Sequence, residues 1–296
     1  MKQKSWLPAY IALGTVWGCS FIFIKQGLEF LTPFGVAFVR CALGALSLLI
    51  IIKFRRQALP RNRSTWLKLW VVSLLLNVFP GILFAYAEVR VTSVLAGIIN
   101  ATTPLTTLIV MLTLFREEKI KRHQLLGLAI GALGVLTVLG IWKGIGHNSL
   151  VGIAALLLAV TCYGFSFPFS RKYVLPLGLR SDVMATTQIT SGALTLLPLF
   201  LYHGISHDHY RVAPVLGMLA LGVLGTGYAY IWNFQILGAA GSSIASSVTY
   251  LTPVVAVFVG WLFLGEHITW NQPIGGALVV LGAATSQGRF TQASKA

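Results

Sequence analysis

Charged residues are scarce in this sequence, and acidic residues are the scarcest. Only 10% of the 296 residues are charged, and 7 Asp or Glu stand against 22 Lys or Arg. In a typical soluble domain roughly a quarter of the residues are charged, so this chain has too few to cover a surface that faces water. The shortage excludes an ordinary soluble protein and predicts a protein that lies in a lipid bilayer.

Motifs for covalent chemistry are also absent. The sequence has no G-x-x-x-x-G-K-[ST] loop, which excludes an ATP-driven motor within this chain. Cys19, Cys41 and Cys162 form no C-x-x-C pair, and we interpret them as small buried residues. The loop HGISHDH at 203–209 contains residue types that bind transition metals, but their spacing lacks the regularity of a zinc site. We therefore predict no cofactor, no metal and no catalytic residue.

Long apolar runs fill most of the chain, since 56% of its residues are apolar. Each run is near the roughly 20 residues that cross a bilayer as a helix, and no alternating pattern of the β-barrel kind is present. The sequence therefore predicts an all-α integral membrane protein with ten transmembrane helices. These lie at about 7–24, 34–52, 66–87, 93–115, 124–142, 150–170, 182–202, 213–235, 242–264 and 271–288.

The basic residues predict how the chain is oriented. With the N-terminus in the cytoplasm, 17 of the 22 Lys and Arg fall at the cytoplasmic ends of the segments, four fall in outer loops, and Arg40 lies within a segment. This bias follows the positive-inside rule and supports an even number of helices. It also explains the net charge of +15 without a nucleic-acid partner. We predict a multi-pass protein of the inner (plasma) membrane with both termini in the cytoplasm.

The sequence repeats itself at an offset of 146 to 149 residues. The matching stretches are WGCSFIFIK from Trp17 with YGFSFPFSR from Tyr163, GALSLL from Gly44 with GALTLL from Gly192, Thr103-Pro104 with Thr252-Pro253, and Glu118-x-Ile120 with Glu266-x-Ile268. The chain thus divides into a five-helix repeat (1–142), an extracytoplasmic linker (143–149), a second repeat (150–288) and a cytoplasmic tail (289–296). Because five is odd, the second repeat is inverted, which is typical of carriers that alternate between two packings around a central site.

These residues resemble the EamA-type transporters of the drug/metabolite transporter superfamily. The resemblance rests on WG-x-SF in the first segment, Thr-Pro in the fourth and ninth, and Glu-x-Ile followed by Gln-x-x-Gly after each. It implies a ten-helix bacterial inner-membrane carrier that exports amino acids or other small metabolites. The chain departs from strict duplication where Pro168 replaces Ile22 and Gln188 replaces Arg40.

Arg40 is the most informative candidate residue. It lies seven residues into the second segment, about 10 Å deep at the rise of a helix, where a charge is costly and tends to face a cavity. One interpretation is a fork that binds the carboxylate or phosphate of a substrate. The alternatives are snorkelling to the outer headgroups or pairing with Glu29 or Glu88.

Prolines fall at matched places within the apolar segments. Pro104 and Pro253 each free the carbonyl four residues earlier, and Pro80 does so in the third segment. They are interpreted either as hinges for half-helices that tilt during transport or as static kinks.

Aromatic and amide residues in these segments are the candidate substrate-binding set. Their polar tips suit a ligand cavity, although core packing or an interfacial belt also accounts for aromatics here. The set comprises Trp17, Arg40, Asn77, Tyr86, Asn100, Tyr163, Gln188, Tyr230, Asn233 and Tyr250.

Together these patterns predict a secondary transporter, most simply an exporter, of small amphipathic metabolites such as amino acids. No acid lies deep within a segment, so transport is facilitated, driven by an exchanged metabolite, or coupled to protons through Glu88 at a segment margin. Two alternatives stay open at this point: an intramembrane enzyme acting on lipid-linked substrates, and a channel.

Overall fold

The computed structural model describes residues 6–91, 93–115, 121–139, 142, 149–206, 211–255, 258 and 270–286, and their regular structure is helical. Within these ranges no β-strand forms; a single bridge joins Leu31 and Ile205. The helices are α1 (Leu7–Gly27), α2 (Pro33–Phe54), α3 (Arg63–Glu88), α4 (Ser93–Asn100), α5 (Thr103–Thr113), α6 (Arg122–Leu139), α7 (Leu150–Leu177), α8 (Ser181–His203), α9 (Val212–Ala240), α10 (Ser242–Ser247) and α11 (Asn271–Ser286).

Polar residues just outside the apolar runs start several of these helices. The Thr32 hydroxyl accepts from the Gly35 backbone N–H at 3.2 Å and precedes Pro33, whose missing N–H costs nothing in a first helical turn. The Asn62 side chain accepts from the Ser64 N–H at 2.8 Å at the start of α3. Local capping chemistry therefore marks where α2 and α3 begin, whereas α1, α8 and α9 start without a side-chain cap.

Within the described residues, six helices are long and apolar enough to cross a membrane: α1, α2, α3, α7, α8 and α9. This confirms the prediction of an all-helical protein suited to a bilayer, whereas the count of ten spans stays a prediction. The fourth apolar segment is divided between α4 and α5, with Pro104 in the first turn of α5. The ninth apolar segment begins with α10 and continues through a 3₁₀ turn at Val248–Tyr250 into helical residues 251–255. Residues 256–257 and 259–269 lie outside the described residues.

The most extensive contacts join one helix from residues 1–142 to one from residues 150–286. These pairs are α6 with α11, α2 with α8, α3 with α7, and α1 with α9. The first pair is a close backbone contact: a Cβ placed on Gly134 would lie 2.6 Å from the Val279 backbone nitrogen. Small residues permit this approach between membrane helices.

The glycine of the repeated phrase serves a matched purpose in each half. A Cβ on Gly18 of α1 would lie 2.6 Å from Val255, and a Cβ on Gly164 of α7 would lie 2.8 Å from the Thr106 hydroxyl. Each glycine thus lets its helix touch the segment after the Thr-Pro of the other half.

Basic residues from several connections lie together at one end of the bundle. At one end, here named the basic end, Asp182 at the start of α8 lies 2.8 Å from Arg55 and 3.0 Å from Arg180. The Lys172 ammonium lies 5.9 Å from the Phe115 ring at the same end. At the opposite end the Thr32 hydroxyl donates to the His203 carbonyl at 2.6 Å. Basic connections that are far apart in the sequence therefore come together at one end.

Wide helical turns interrupt α3 and α9 at corresponding places. Both are π-helical, at Leu74–Val78 in α3 and Val223–Tyr228 in α9, and the two turns begin 149 residues apart. A third π turn, at Ser170–Val174 in α7, has no counterpart in α1. A π turn leaves backbone carbonyls without their ordinary helical partners and often marks a functional site.

Candidate functional site

An interior cavity of about 50 Å³ lies among α1, α2, α3, α7 and α9. The helix breaks that follow α4 and α10 also border it, through Asn100 and Thr249. A space of this size holds a few water molecules, so a metabolite requires the walls to move apart. The lining residues are Trp17, Ser20, Phe21, Ile24, Arg40, Leu76, Phe84, Asn100, Tyr163, Phe167, Tyr230 and Thr249.

Arg40 is the charged residue of this lining, and it is 9% exposed. Its Nε donates to the Thr226 hydroxyl at 3.1 Å. Thr226 lies in the π turn of α9 and donates in turn to the Leu221 carbonyl at 3.0 Å. Within the described ranges neither Nη group has a hydrogen-bond partner, and no carboxylate lies within 4.0 Å of the guanidinium.

In this conformation Arg40 therefore neither snorkels to the headgroups nor forms an ion pair with Glu29 or Glu88. Glu29 lies 4.0 Å from Arg211 instead, on exposed side chains. Burial of Arg40 argues against snorkelling. A planar fork with unused donors, held by one bond at Nε, suits a carboxylate that arrives with the ligand.

The π turns of α3 and α9 hold the aromatic side chains that form the walls of the cavity. Trp17 Nε1 donates to the Gly225 carbonyl at 3.2 Å, and the Tyr230 hydroxyl donates to the Leu76 carbonyl at 3.0 Å. The two rings meet edge to face with centroids 6.0 Å apart. Because the carbonyls bind the polar tips, the ring surfaces are left for apolar contact with a ligand.

A second aromatic group continues this wall. The Phe84 ring lies 6.0 Å from that of Phe21 and 5.8 Å from that of Tyr163. Trp17 and Tyr163, the first residues of the repeated phrase, therefore line one space. Rings beside a single cation suit an amphipathic molecule with an anionic end.

The broken fourth and ninth segments meet at the cavity. The carbonyl that Pro104 frees at Asn100 accepts from the Thr103 hydroxyl at 2.6 Å. In the same way, the Thr249 carbonyl freed by Pro253 accepts from Thr252 at 2.8 Å. The Asn100 amide donates to the Thr252 hydroxyl at 3.4 Å and joins the two breaks. The freed carbonyls thus have local partners, and hinge motion at Pro80, Pro104 and Pro253 stays a prediction.

Five of the ten predicted substrate-binding residues lie in the lining, namely Trp17, Arg40, Asn100, Tyr163 and Tyr230. Two more lie next to Leu76, where the Gln188 amide donates to the Asn77 side-chain oxygen at 2.6 Å and both residues are buried. That bond buttresses the π turn of α3.

The other three lie away from the cavity lining. Tyr86 has the Arg90 guanidinium 3.7 Å above its ring, and Tyr250 donates to the Leu128 carbonyl at 3.0 Å within the contact to α6. Asn233 is buried outside the lining. A contact with a helix distant in sequence places Tyr250, and a contact with Arg90 one turn along the chain holds Tyr86, so residue type alone does not indicate either position.

Seven lining residues were missed, and helical spacing signals several of them. Ser20, Phe21 and Ile24 follow Trp17 at intervals of three, four and seven, which places them on one face of α1. Phe167 follows Tyr163 by four in the same way. No comparable signal points to Leu76, Phe84 or Thr249.

Comparison with known proteins gives consistent matches across the chain. The profile of the EamA-like transporter family matches residues 4–140 and again residues 150–286. The chain is 27% identical over 276 residues to the uncharacterized transporter YoaV of Bacillus subtilis, covering 92% of this chain and 93% of that one. It is also 27% identical to the uncharacterized inner membrane transporter YedA of Escherichia coli K12, covering 91% and 87% of the two chains.

Two further matches extend this picture. Protein PecM of Dickeya dadantii is 25% identical over 260 residues, covering 88% of this chain and 84% of that one. One solved crystal structure superposes with a TM-score of 0.72 at 18% identity, covering 94% of this chain and 98% of that chain. At that identity the likeness shows the fold alone.

Proposed function

The chain belongs to the EamA-like transporter family, within the drug/metabolite transporter superfamily, and from that membership we propose that it is a secondary carrier that exports small amphipathic metabolites, amino acids foremost. It is a membrane transporter and not an enzyme. The substrate class, the outward direction and the mechanism below are proposals.

One observation carries the substrate class: the buried Arg40 guanidinium presents unused donors to a cavity walled by aromatic rings. An amino acid with an apolar side chain matches both features. Its carboxylate binds the guanidinium fork, while its side chain contacts rings such as Trp17 and Tyr163. Asn100 and Tyr230 complete the proposed site.

Alternating access between two inverted five-helix repeats, 1–142 and 150–288, is the proposed mechanism. The contact pattern supports it. When each segment of the first repeat is replaced by its counterpart in the second, the α1–α9 pair becomes the α7–α3 pair, and the α2–α8 and α6–α11 pairs become themselves. The paired π turns agree with the same symmetry. Ten spans and hinges at Pro80, Pro104 and Pro253 belong to this proposal.

We place the basic end in the cytoplasm and the protein in the inner membrane, with both termini inside. Supporting this, Arg55, Arg180 and Lys172 share one end of the bundle, as the positive-inside rule requires of cytoplasmic connections. The driving force is a proton or an exchanged metabolite.

The test is counterflow in proteoliposomes. L-Phenylalanine, L-leucine and L-threonine are each trapped inside at millimolar concentration, and entry of the same labelled amino acid is followed. A carrier gives a transient accumulation of label above equilibrium, because trapped substrate returns the site to face outward. A channel gives equilibration without overshoot, and an enzyme gives a chemically altered label. Absence of overshoot with all three amino acids would refute the proposed substrate class.

Cysteine labelling tests the orientation. In a variant with Cys19, Cys41 and Cys162 replaced by alanine, Arg61→Cys and Arg211→Cys are introduced one at a time. We expect a membrane-impermeant maleimide to label Arg211→Cys in intact cells and Arg61→Cys only after permeabilisation. Labelling of both positions in intact cells would place them on one side of the membrane and rule out this topology.

A further inference from the structure

Glu88 is a buried acid whose carboxylate has no partner. It is the last residue of α3 and only 6% exposed. In the part of the chain that the structure describes, neither carboxylate oxygen has a hydrogen bond. The sequence indicated a residue at a segment margin, but packing of the neighbouring helices removes it from water.

The position of Glu88 connects it to the cavity. It follows the lining residue Phe84 by four residues, just as Lys25 follows the lining residue Phe21. The Phe84 and Phe21 rings are 6.0 Å apart, and four residues correspond to about 6 Å along a helix. Glu88 therefore lies one turn beyond the cavity, toward the end opposite the basic end, and Lys25 directly follows the lining residue Ile24 on α1.

The charged groups around Glu88 are cationic. The positive charges of Lys25 on α1 and Arg40 on α2 interact electrostatically with the Glu88 carboxylate. The helices packed against this part of α3 carry further titratable groups, whereas α4 has none. These groups are Tyr10 and Cys19 on α1, Cys41 and Lys53 on α2, and Cys162, Tyr163, Arg171, Lys172 and Tyr173 on α7. On its own segment, Arg90 donates to the Tyr86 carbonyl at 3.0 Å.

An ionised carboxylate at this burial without a donor is costly by several kcal/mol, whereas a protonated carboxyl or one that binds a cation is not. Glu88 is thus stable in two forms: protonated, or paired with a cation that enters the site. The ammonium group of an amino acid is such a cation, and the proposed function assigns the carboxylate of the same molecule to Arg40.

We infer that Glu88 binds the amino group of the substrate and that a proton competes with this group, so that one amino acid leaves the cell in exchange for one proton. This inference rests on the proposed function. Facing outward, a proton from the outer water binds the Glu88 carboxylate and the substrate departs with its ammonium intact. Facing inward, substrate ammonium displaces that proton, which is released to the cytoplasm. Occupation by either cation excludes the other, which is the condition for exchange.

The experiment uses proteoliposomes and whichever of the three amino acids gives the largest counterflow. In the wild type, lowering the outside pH by one unit relative to the inside should speed efflux by up to about tenfold, because the exchange of one proton multiplies the driving concentration ratio by about ten for each pH unit. In Glu88→Gln, efflux should not respond to the pH difference, while counterflow at equal pH persists at raised substrate concentration. Glu29→Gln, on an exposed acid of the same end, is the matched control and should behave as the wild type.

A second readout separates a binding role from a structural one. The N-acetyl derivative of the same amino acid keeps the carboxylate and lacks the ammonium. The wild type should prefer the free amino acid about tenfold as a competitor of counterflow, and Glu88→Gln should lose this preference. Glu88→Asp keeps the charge and should retain the pH response even where the glutamine variant folds poorly.

Each outcome of these experiments supports or refutes the inference. Counterflow in the wild type without a pH response refutes the proton exchange alone, and so does a pH response that survives in Glu88→Gln. Loss of the pH response in Glu88→Asp together with an unchanged preference for the free amino acid in Glu88→Gln assigns Glu88 to packing. Absence of counterflow in the wild type refutes the proposed substrate class and this inference with it.

Discussion

Replacing Arg40 by alanine is expected to lower carrier-mediated uptake of amino acids by about a hundredfold or more. Each charge-assisted hydrogen bond contributes roughly 1.5–3 kcal/mol, and a bidentate fork makes two, so the loss exceeds the ~2.7 kcal/mol that a hundredfold represents. No other charged residue lines the cavity within the described ranges. The measurement is the initial rate of labelled uptake into proteoliposomes that contain trapped unlabelled substrate.

Two further variants make this result specific. Arg211→Ala removes an arginine whose side chain is 82% exposed and 4.0 Å from Glu29, and it should leave uptake unchanged because an exposed pair contributes at most about 1 kcal/mol. Arg40→Lys keeps the charge without the fork and should fall between. In Arg40→Ala the Thr226 hydroxyl keeps its bond to the Leu221 carbonyl, so folding should persist. Unchanged uptake by Arg40→Ala would remove Arg40 from the site.

Replacing Gly282 by leucine is expected to abolish recovery of folded, monodisperse protein. A Cβ on Gly282 would run into the backbone of Gly131 on α6, which no rotamer change relieves. The helices α6 and α11 must then separate along their length, and even one added methyl group in a tight contact costs about 1–3 kcal/mol. Gly282→Ala should accordingly lower thermal stability, and Gly282→Leu should aggregate on size-exclusion chromatography in mild detergent.

The matched control lies on the same helix. A Cβ on Gly276 meets only Val254, at an ordinary 3.7 Å, and Gly276 is partly exposed. Gly276→Leu should therefore elute as the wild type does. Equal recovery of the Gly282 and Gly276 variants would show that backbone contact between α6 and α11 does not limit stability.

Much of the architecture follows from local sequence. Apolar length and the scarcity of acids predict membrane helices, and α1, α2, α3, α7, α8 and α9 begin within three residues of the predicted bounds, although α7 and α9 continue seven and five residues beyond their predicted ends. The repeated phrase identified Trp17 and Tyr163, and the depth of Arg40 in its segment identified a buried charge. These signals succeed because lipid exposure and helical spacing act over a few turns of one chain segment.

The rest of the site depended on contacts between segments. Phe84 is one of the many aromatic residues of these segments, and Leu76 carries no distinguishing sequence signal. Both line the cavity because α3 packs against α7 and its π turn faces α9. Tyr250 has the same chemistry as Tyr230, but it lies against α6 and donates to Leu128. The breaks at Pro104 and Pro253 were readable in sequence, whereas their meeting through Asn100 and Thr252 was not.

The sequence by itself determined that this chain lies in a membrane, that it contains two copies of one repeat, and that one arginine lies within an apolar segment. Only the tertiary structure decided which aromatic rings surround that arginine and that Glu88 is buried. Hydrophobicity is a property of each segment, whereas burial of an end residue and the shape of a cavity depend on which distant helices pack beside it.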